Sequence, residues 1–104
     1  MEVISTRYTL TPRYENVKSY YNKAHVDEWK DNGNDVYKLY SYNTLVLISV
    51  IVPCDYNKNK LYMVDADYFT HTTLRHCREF VKQYYNHSLV LKKKDFIKLP
   101  VWHE

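Results

Sequence analysis

Apolar and polar residues alternate along residues 23–31 and again along residues 35–42. This period of two is typical of β-strands that bury one face. Asn32 and Gly33 lie between the two segments, and Asn-Gly is the strongest short hairpin signal because both residues tolerate positive φ. The pattern therefore predicts two antiparallel strands joined by a tight turn.

All of residues 45–52 are apolar except Ser49. Such a run is typical of a strand buried on both faces, so we place it centrally in the sheet. Pro53 ends this strand because proline cannot donate a hydrogen bond to a ladder. A polar turn and a returning strand at residues 60–64 follow. Residues 23–64 are thus predicted to be a meander of about four strands.

The first 22 residues show no clear period. A short strand between Val3 and Leu10 is possible, and residues 16–21 could form one helical turn with Asn16 as its cap. Residues 1–22 are therefore predicted to be an irregular N-terminal segment.

A helical period begins after residue 70 and predicts the main helix at residues 72–86. The threonines that precede it are suitable N-caps. Arg75 and Glu79 are four residues apart and are expected to pair on the exposed side of the helix. The apolar stripe, with spacings of three and four residues, consists of Leu74, Cys77, Val81 and Tyr84, widened by Phe80.

Residues 87–104 combine a lysine run with the apolar segment from Phe96 to Trp102. This ending is too apolar for a free tail, so we expect it to dock on the core as a strand or a short helix. The chain is therefore predicted to be a single α+β domain. Its architecture is an antiparallel sheet of about four strands with one main amphipathic helix packed on one face.

Composition changes this picture through tyrosine and charge. Twelve tyrosines in 104 residues cannot all belong to the core, so several are expected at the surface, where tyrosine supplies contact area. An AT-rich genome would explain the excess equally well. The net charge of +3 arises in residues 55–104, which carry nine basic and six acidic residues. That modest field permits contact with nucleic acid without requiring it.

The residues that could carry chemistry do not form a known catalytic pattern. A single glycine excludes a glycine-rich phosphate loop, and the histidine spacings do not fit a zinc site. Cys77 lies on the apolar stripe, where a thiol more often packs than reacts. We expect no enzyme activity, no metal and no cofactor. The chain shows no signal peptide, and its longest apolar stretch is too short to span a membrane, so a cytoplasmic location is expected.

Basic residues follow one ridge of the predicted helix, and more of them follow the helix in the chain. Interleaved with surface tyrosines, such residues suit phosphate contact and base stacking. The same pattern describes the solvated side of an amphipathic helix, and we favour that interpretation. The ridge consists of Arg75, Arg78 and Lys82, and the accompanying residues are Tyr84, Tyr85, Lys92, Lys93 and Lys94.

Three segments occur in an order that is found elsewhere: KSYYNKA at 18–24, LYSYNT at 39–44 and TTLRHCREF at 72–80. They resemble a family of small uncharacterised proteins from phages and mobile elements of Gram-positive bacteria. Members of that family read roughly K-S-F-Y-x-K-A, then S-Y-x-T, then T-T-x-R-H-x-x-E-F. The resemblance covers residues 18–80, with departures at Tyr20, where Phe is usual, and in a longer insert at residues 53–60.

The resemblance implies a biological setting rather than an activity. Small accessory proteins of phages, anti-CRISPR proteins among them, usually act by occluding a host machine. By that analogy we expect a non-enzymatic inhibitor of a host protein, such as a CRISPR effector or another nucleic-acid machine. Direct nucleic-acid binding through the basic ridge is the alternative. As a binding site, Tyr42, Thr72, Arg75 and His76 would converge at one edge of the sheet; otherwise these residues only preserve the corner between strand and helix.

Overall fold

Five β-strands, each paired with its neighbours along the chain, form one antiparallel sheet. The computed structural model describes residues 6–64 and 70–102 of the chain. The strands are β1 (Thr6–Thr9), β2 (Ala24–Asp31), β3 (Asn34–Ser41), β4 (Thr44–Ile51) and β5 (Lys60–Met63). The α+β class and the meander are confirmed, with five strands instead of about four. β3 lies in the middle of the sheet and β4 lies beside it.

The additional strand comes from the N-terminal segment that was expected to be irregular. Thr6–Thr9 pairs with β2, with Thr9 opposite His25. Val3 to Ser5, the rest of the possible strand, lies outside the described residues. The helical turn predicted at residues 16–21 is wrong, because residues 13–18 form a series of bends and a β-turn follows.

Two-residue turns join β2 to β3 and β3 to β4, and the residues in these turns have positive φ. Asn32 and Gly33, at φ 52° and 83°, form the predicted turn between β2 and β3. Tyr42 and Asn43, at φ 53° and 76°, connect β3 to β4. Positive φ at both central residues is characteristic of the turn that matches the twist of a hairpin.

A β-bulge accounts for two consecutive core residues within the apolar run of β4. Leu39 pairs with Leu47, but the next residue, Tyr40, pairs with Leu45, so Val46 is an extra residue in β4. A bulge of this kind lets two consecutive side chains turn to the same side of a sheet. Val46 and Leu47 are both fully buried in the core cluster. β4 thus contributes one more side chain to the core than a strictly alternating strand would.

The main helix α1 (His71–Tyr84) packs across β3 and β4. Its N-cap is Thr70, whose hydroxyl oxygen accepts a hydrogen bond from the Thr73 backbone N–H at 3.1 Å. Cys77 and Phe80 are fully buried on the sheet, and burial raises the pKa of the Cys77 thiol. The buried ring of Phe80 alone stabilises the fold by about 2–3 kcal/mol through removal of apolar surface from water.

The C-terminal segment lies against β5 and the core. A short helix, α2 (Lys93–Ile97), buries Phe96 completely. Beyond it, the Met63 N–H donates to the Pro100 carbonyl and the Trp102 N–H donates to the Met63 carbonyl, both at 2.9 Å. Residues 103 and 104 lie outside the described residues. Neither of the helices described is long and apolar enough to cross a membrane.

Candidate functional site

The N-terminal strap, residues 11–20, is fastened to α1 by a buried carboxylate. Glu79 is only 2% exposed, and its Oε1 accepts hydrogen bonds from the backbone N–H groups of Tyr14 at 3.0 Å and Glu15 at 2.9 Å. The side-chain amide of Gln83 donates to the other oxygen at 2.7 Å. The expected exposed pair between Glu79 and the arginine four residues before it is therefore wrong.

Arg75 pairs instead with Glu15 of the strap, through its Nε. The Tyr20 hydroxyl donates to the second oxygen of the same carboxylate. Burial raises the pKa of Glu15, but the hydrogen bonds from Tyr20 and Arg75 outweigh it, so the pKa of Glu15 lies below its usual value. The strap is thus held at two points, by Glu79 inside the protein and by Arg75 nearer its surface.

A buried chain of hydrogen bonds joins the end of β3 to the first turns of α1. The Ser41 hydroxyl lies 2.9 Å from His76 Nδ1 and 3.0 Å from the Thr73 hydroxyl, and Thr70 donates to Thr73 at 3.1 Å. His76 is 1% exposed, and burial, helped by the charge of Arg75, lowers its pKa to about 4. His76 is therefore a neutral structural residue near pH 7.

Two exposed tyrosines stand beside this buried chain, on neighbouring turns. The Tyr42 N–H donates to the Lys23 carbonyl at 2.8 Å, which places the turn at Tyr21-Asn22 next to the turn at Tyr42-Asn43. Tyr21 is 78% exposed and Tyr42 is 39% exposed, both at φ 53°. The Lys23 ammonium lies 5.6 Å from the centre of the Tyr42 ring. We call Tyr21, Lys23 and Tyr42 the tyrosine corner.

Of the four residues expected to converge here, one belongs to the corner and one lies beneath it. Tyr42 is in the corner, and the ring of His76 lies beneath it with the ring centres 5.9 Å apart. Arg75, the residue before His76 on α1, pairs with Glu15 of the strap instead. Thr72 is half-buried, and it is Thr73 that takes part in the hydrogen-bond chain. Tyr21 was not expected from sequence, although its Tyr-Asn dipeptide repeats the one at Tyr42.

The basic ridge lines a cleft of about 200 Å³ between the strap and α1. Arg78 Nε donates to the Leu91 carbonyl at 2.9 Å, so the chain just before the exposed Lys92, Lys93 and Lys94 lies beside the ridge. The structure thus brings the two basic elements together. The lining residues are Tyr14, Glu15, Arg75, Arg78, Glu79 and Lys82.

Tyr84 and Tyr85 pack against the core cluster rather than standing free on the ridge. The Tyr84 ring is 4.8 Å from that of Tyr37 and 5.3 Å from that of Phe80, between ring centres. Both tyrosines also line a wider groove of about 640 Å³ at the C-terminal end of α1. We call this the tyrosine groove; its aromatic lining consists of Tyr14, Tyr37, Tyr56, Tyr84 and Tyr85.

Across residues 6–64 and 70–102, no group of three or more His, Cys, Asp or Glu side chains is placed to hold a metal ion. The carboxylates of Glu15 on the strap and Glu79 on α1 both accept hydrogen bonds from protein donors. The chemistry that these surfaces offer is therefore hydrogen bonding, aromatic contact and positive charge.

No curated protein and no solved structure matches the chain. A family of unknown function, DUF8033, matches residues 8–98. That range contains all three segments on which the resemblance to an uncharacterised family depends, and it includes the strap, the corner and both clefts. The chain belongs to DUF8033, a family of unknown function.

Proposed function

We propose that this protein is a non-enzymatic binding protein that docks on a partner protein through the tyrosine corner. Tyrosine is among the residues that most often dominate the free energy of protein interfaces, because it combines a large apolar ring with a hydrogen-bonding hydroxyl. Tyr21 and Tyr42 offer both groups at the surface. Lys23 adds a positive charge beside them, which would favour a partner with an acidic surface.

The observation that carries the proposal is the backbone of the two tyrosines. A residue with a Cβ in the left-handed region costs about 1 kcal/mol, and Asn or Gly would avoid most of that cost. Tyr21 recovers little of it by packing, because 78% of the residue is exposed. Strain that folding does not need is characteristic of functional positions. The two tyrosines therefore lower the stability of the fold at an exposed position, which favours a role in binding.

The class of partner is proposed from the size of the protein and from its resemblance to phage accessory proteins. On that basis the partner is a cytoplasmic host machine that handles nucleic acid, such as a CRISPR effector, and the protein inhibits it by occlusion. This step is an analogy of size and biological setting. Identification comes from the capture experiment below.

Replacing Tyr21 and Tyr42 by asparagine is expected to stabilise the protein and to abolish docking. Tyr21→Asn should raise the free energy of unfolding by about 0.5–1 kcal/mol, because asparagine tolerates positive φ better than tyrosine. At Tyr42 the gain should be smaller, because the ring contacts with His76 and Lys23 are lost. Urea denaturation measures the first effect. The second is measured by capturing proteins from a host lysate on the immobilised chain, after nuclease treatment, and quantifying them by mass spectrometry.

The matched control is Tyr56→Asn, because Tyr56 is 80% exposed but has a negative φ and lies outside the corner. It should change neither stability nor capture. One host protein retained in near-stoichiometric amount by the wild type and lost by the corner variants would support docking. Capture that is unchanged in the corner variants, or that disappears with nuclease, would contradict it.

Direct binding of nucleic acid is a second candidate, favoured by the hydrogen bond that joins Arg78 to the segment preceding the lysine run. This candidate predicts an affinity for nucleic acid that falls steeply with salt, because each phosphate contact releases counterions. Replacing Lys92, Lys93 and Lys94 together by alanine should reduce both the affinity and the salt slope. A flat salt dependence would contradict it.

A further inference from the structure

The basic cleft and the tyrosine groove are two parts of one channel along α1. Both are lined by Tyr14 and Lys82, so they meet at these side chains, where the Lys82 ammonium lies 5.8 Å from the centre of the Tyr14 ring. The part toward Arg78 is cationic, and the part toward the end of α1 is aromatic. The channel therefore changes from a charged to a stacking surface over a short distance.

The cationic part keeps a net positive charge. Of its two carboxylates, Glu15 is paired with Arg75, and Glu79 accepts hydrogen bonds from two backbone N–H groups and one side-chain amide. Arg78 and Lys82 therefore outweigh the single remaining carboxylate, that of Glu79. Within the described part of the chain, Arg78 and Lys82 form no ion pair with a carboxylate. The Nε–H of Arg78 donates to the Leu91 carbonyl, and the terminal N–H groups of the guanidinium remain able to bind an anion.

The aromatic part suits a flat ring. Tyr14 is 50% exposed and Tyr56 is 80% exposed. Each ring therefore has surface that is not packed against the core and on which a ligand could stack. Its volume of about 640 Å³ falls in the range of small-molecule sites, about 300–1,000 Å³. This part lies at the C-terminal end of α1, and its lining contains no arginine and no lysine except Lys82, which it shares with the cationic part. A neutral ring belongs there, and an anionic group belongs at Arg78.

We infer that the channel binds a nucleotide, with the phosphate on Arg78 and Lys82 and the base stacked on Tyr14 and Tyr56. A nucleotide joins an anion to a flat aromatic ring, which is the order of surfaces that the channel presents. The source is either a free mononucleotide or one residue of a single strand. The inference does not depend on the tyrosine corner, and it refines the second candidate function by naming the channel, rather than the lysine run, as the site.

The test is titration calorimetry at low salt with adenosine 5′-monophosphate, adenosine and inorganic phosphate as separate probes. The monophosphate should bind at least about tenfold more tightly than either fragment, because linking two groups makes the second contact intramolecular. Equal affinity for inorganic phosphate and the monophosphate would overturn the stacking half of the inference. Absence of heat for the monophosphate together with absence of binding to a single strand would overturn all of it.

Two variants probe the two halves of the channel. Lys82→Gln should lower the affinity for the monophosphate without changing the affinity for adenosine. Tyr56→Ala should lower both affinities by about tenfold, the usual effect of losing one base-stacking ring. Lys38→Gln is the matched control for Lys82→Gln, since Lys38 is also half-buried and does not line the channel. Tyr56 begins a short 3-10 helix, Tyr56–Lys58, that contains no buried residue, so its variant should fold normally.

A single-stranded oligodeoxyadenylate of about eight nucleotides, within the range of known single-strand sites, separates the two sources. If the oligonucleotide binds more tightly than the monophosphate, with a steep salt dependence, the ligand is a single strand. If it binds no more tightly, the ligand is a free nucleotide. Loss of strand binding in the triple lysine variant but not in Lys82→Gln or Tyr56→Ala would overturn the channel as the site.

Discussion

Replacing Glu79 by alanine is expected to lower the free energy of unfolding by about 3 kcal/mol. Two backbone N–H groups of the strap would lose their acceptor, and each unsatisfied polar group in a partly buried position costs about 1–3 kcal/mol. Gln83 would also lose one of its two acceptors. Urea denaturation followed by circular dichroism measures the loss.

Two further variants separate the role of the carboxylate from a general effect of mutation. Glu79→Gln keeps the shape and one accepting oxygen, so it should recover part of the loss. Asp31→Ala removes an exposed carboxylate from the end of β2 and should change stability by no more than about 0.5 kcal/mol. An alanine variant at position 79 as stable as the wild type would show that the strap is not held by this side chain.

Acid is expected to destabilise the protein through His76 between pH 6.5 and pH 4. The pKa of this imidazole is about 4 in the folded protein and 6.5 in an unfolded chain. As the pH falls through this window the unfolded state takes up a proton and the folded state does not, so the equilibrium shifts toward unfolding. The stability that His76 contributes is fully present above pH 6.5 and is reduced by about 3 kcal/mol at most near pH 4.

The measurement is the free energy of unfolding at half-unit steps of pH, for the wild type and for His76→Gln. Glutamine can still hydrogen-bond to Ser41 but does not titrate, so the slope in this window should be largely lost in the variant. The charged groups around the imidazole are Arg75, Glu15 and Lys23. The lowered pKa of Glu15 removes stability only as the pH falls below the ordinary carboxyl pKa of 4.5, at the acid end of this window and beyond it. Identical slopes in the two proteins would contradict the assignment to His76.

Local patterns predicted the regular elements, because their information lies in neighbouring residues. Alternation marked β2 and β3, the Asn32-Gly33 dipeptide marked their turn, and the spacing from Leu74 to Tyr84 marked α1 to within two residues at each end. The polar and charged contacts of the strap were not predictable in this way. Glu79 and Tyr14 are far apart in the chain, and spacing along a helix pointed Glu79 toward solvent.

The corner was partly predictable for a related reason. Tyr42, Thr72, Arg75 and His76 were expected near one edge of the sheet, and of these Tyr42 and His76 lie together at the corner. Tyr21 was not expected, since tyrosine is a poor choice for a turn position with positive φ. Sequence rules describe what stabilises a turn, so they fail where a residue is kept for something else. The missed bulge at Val46 has a different cause: a buried strand shows no alternation from which register could be read.

The order of the strands in the sheet is also their order in the chain, and this has a consequence for how the protein folds. Every pairing in the sheet closes a short loop except the one between β1 and β2, which encloses the strap. Short loops lose little chain entropy on closure, so the β2–β4 hairpins can assemble early and rapidly. We expect the strap, α1 and the C-terminal segment to join this sheet after it has formed. Folding kinetics should accordingly depend strongly on the turn at Gly33 and weakly on Glu79, whose substitution is expected to speed unfolding instead.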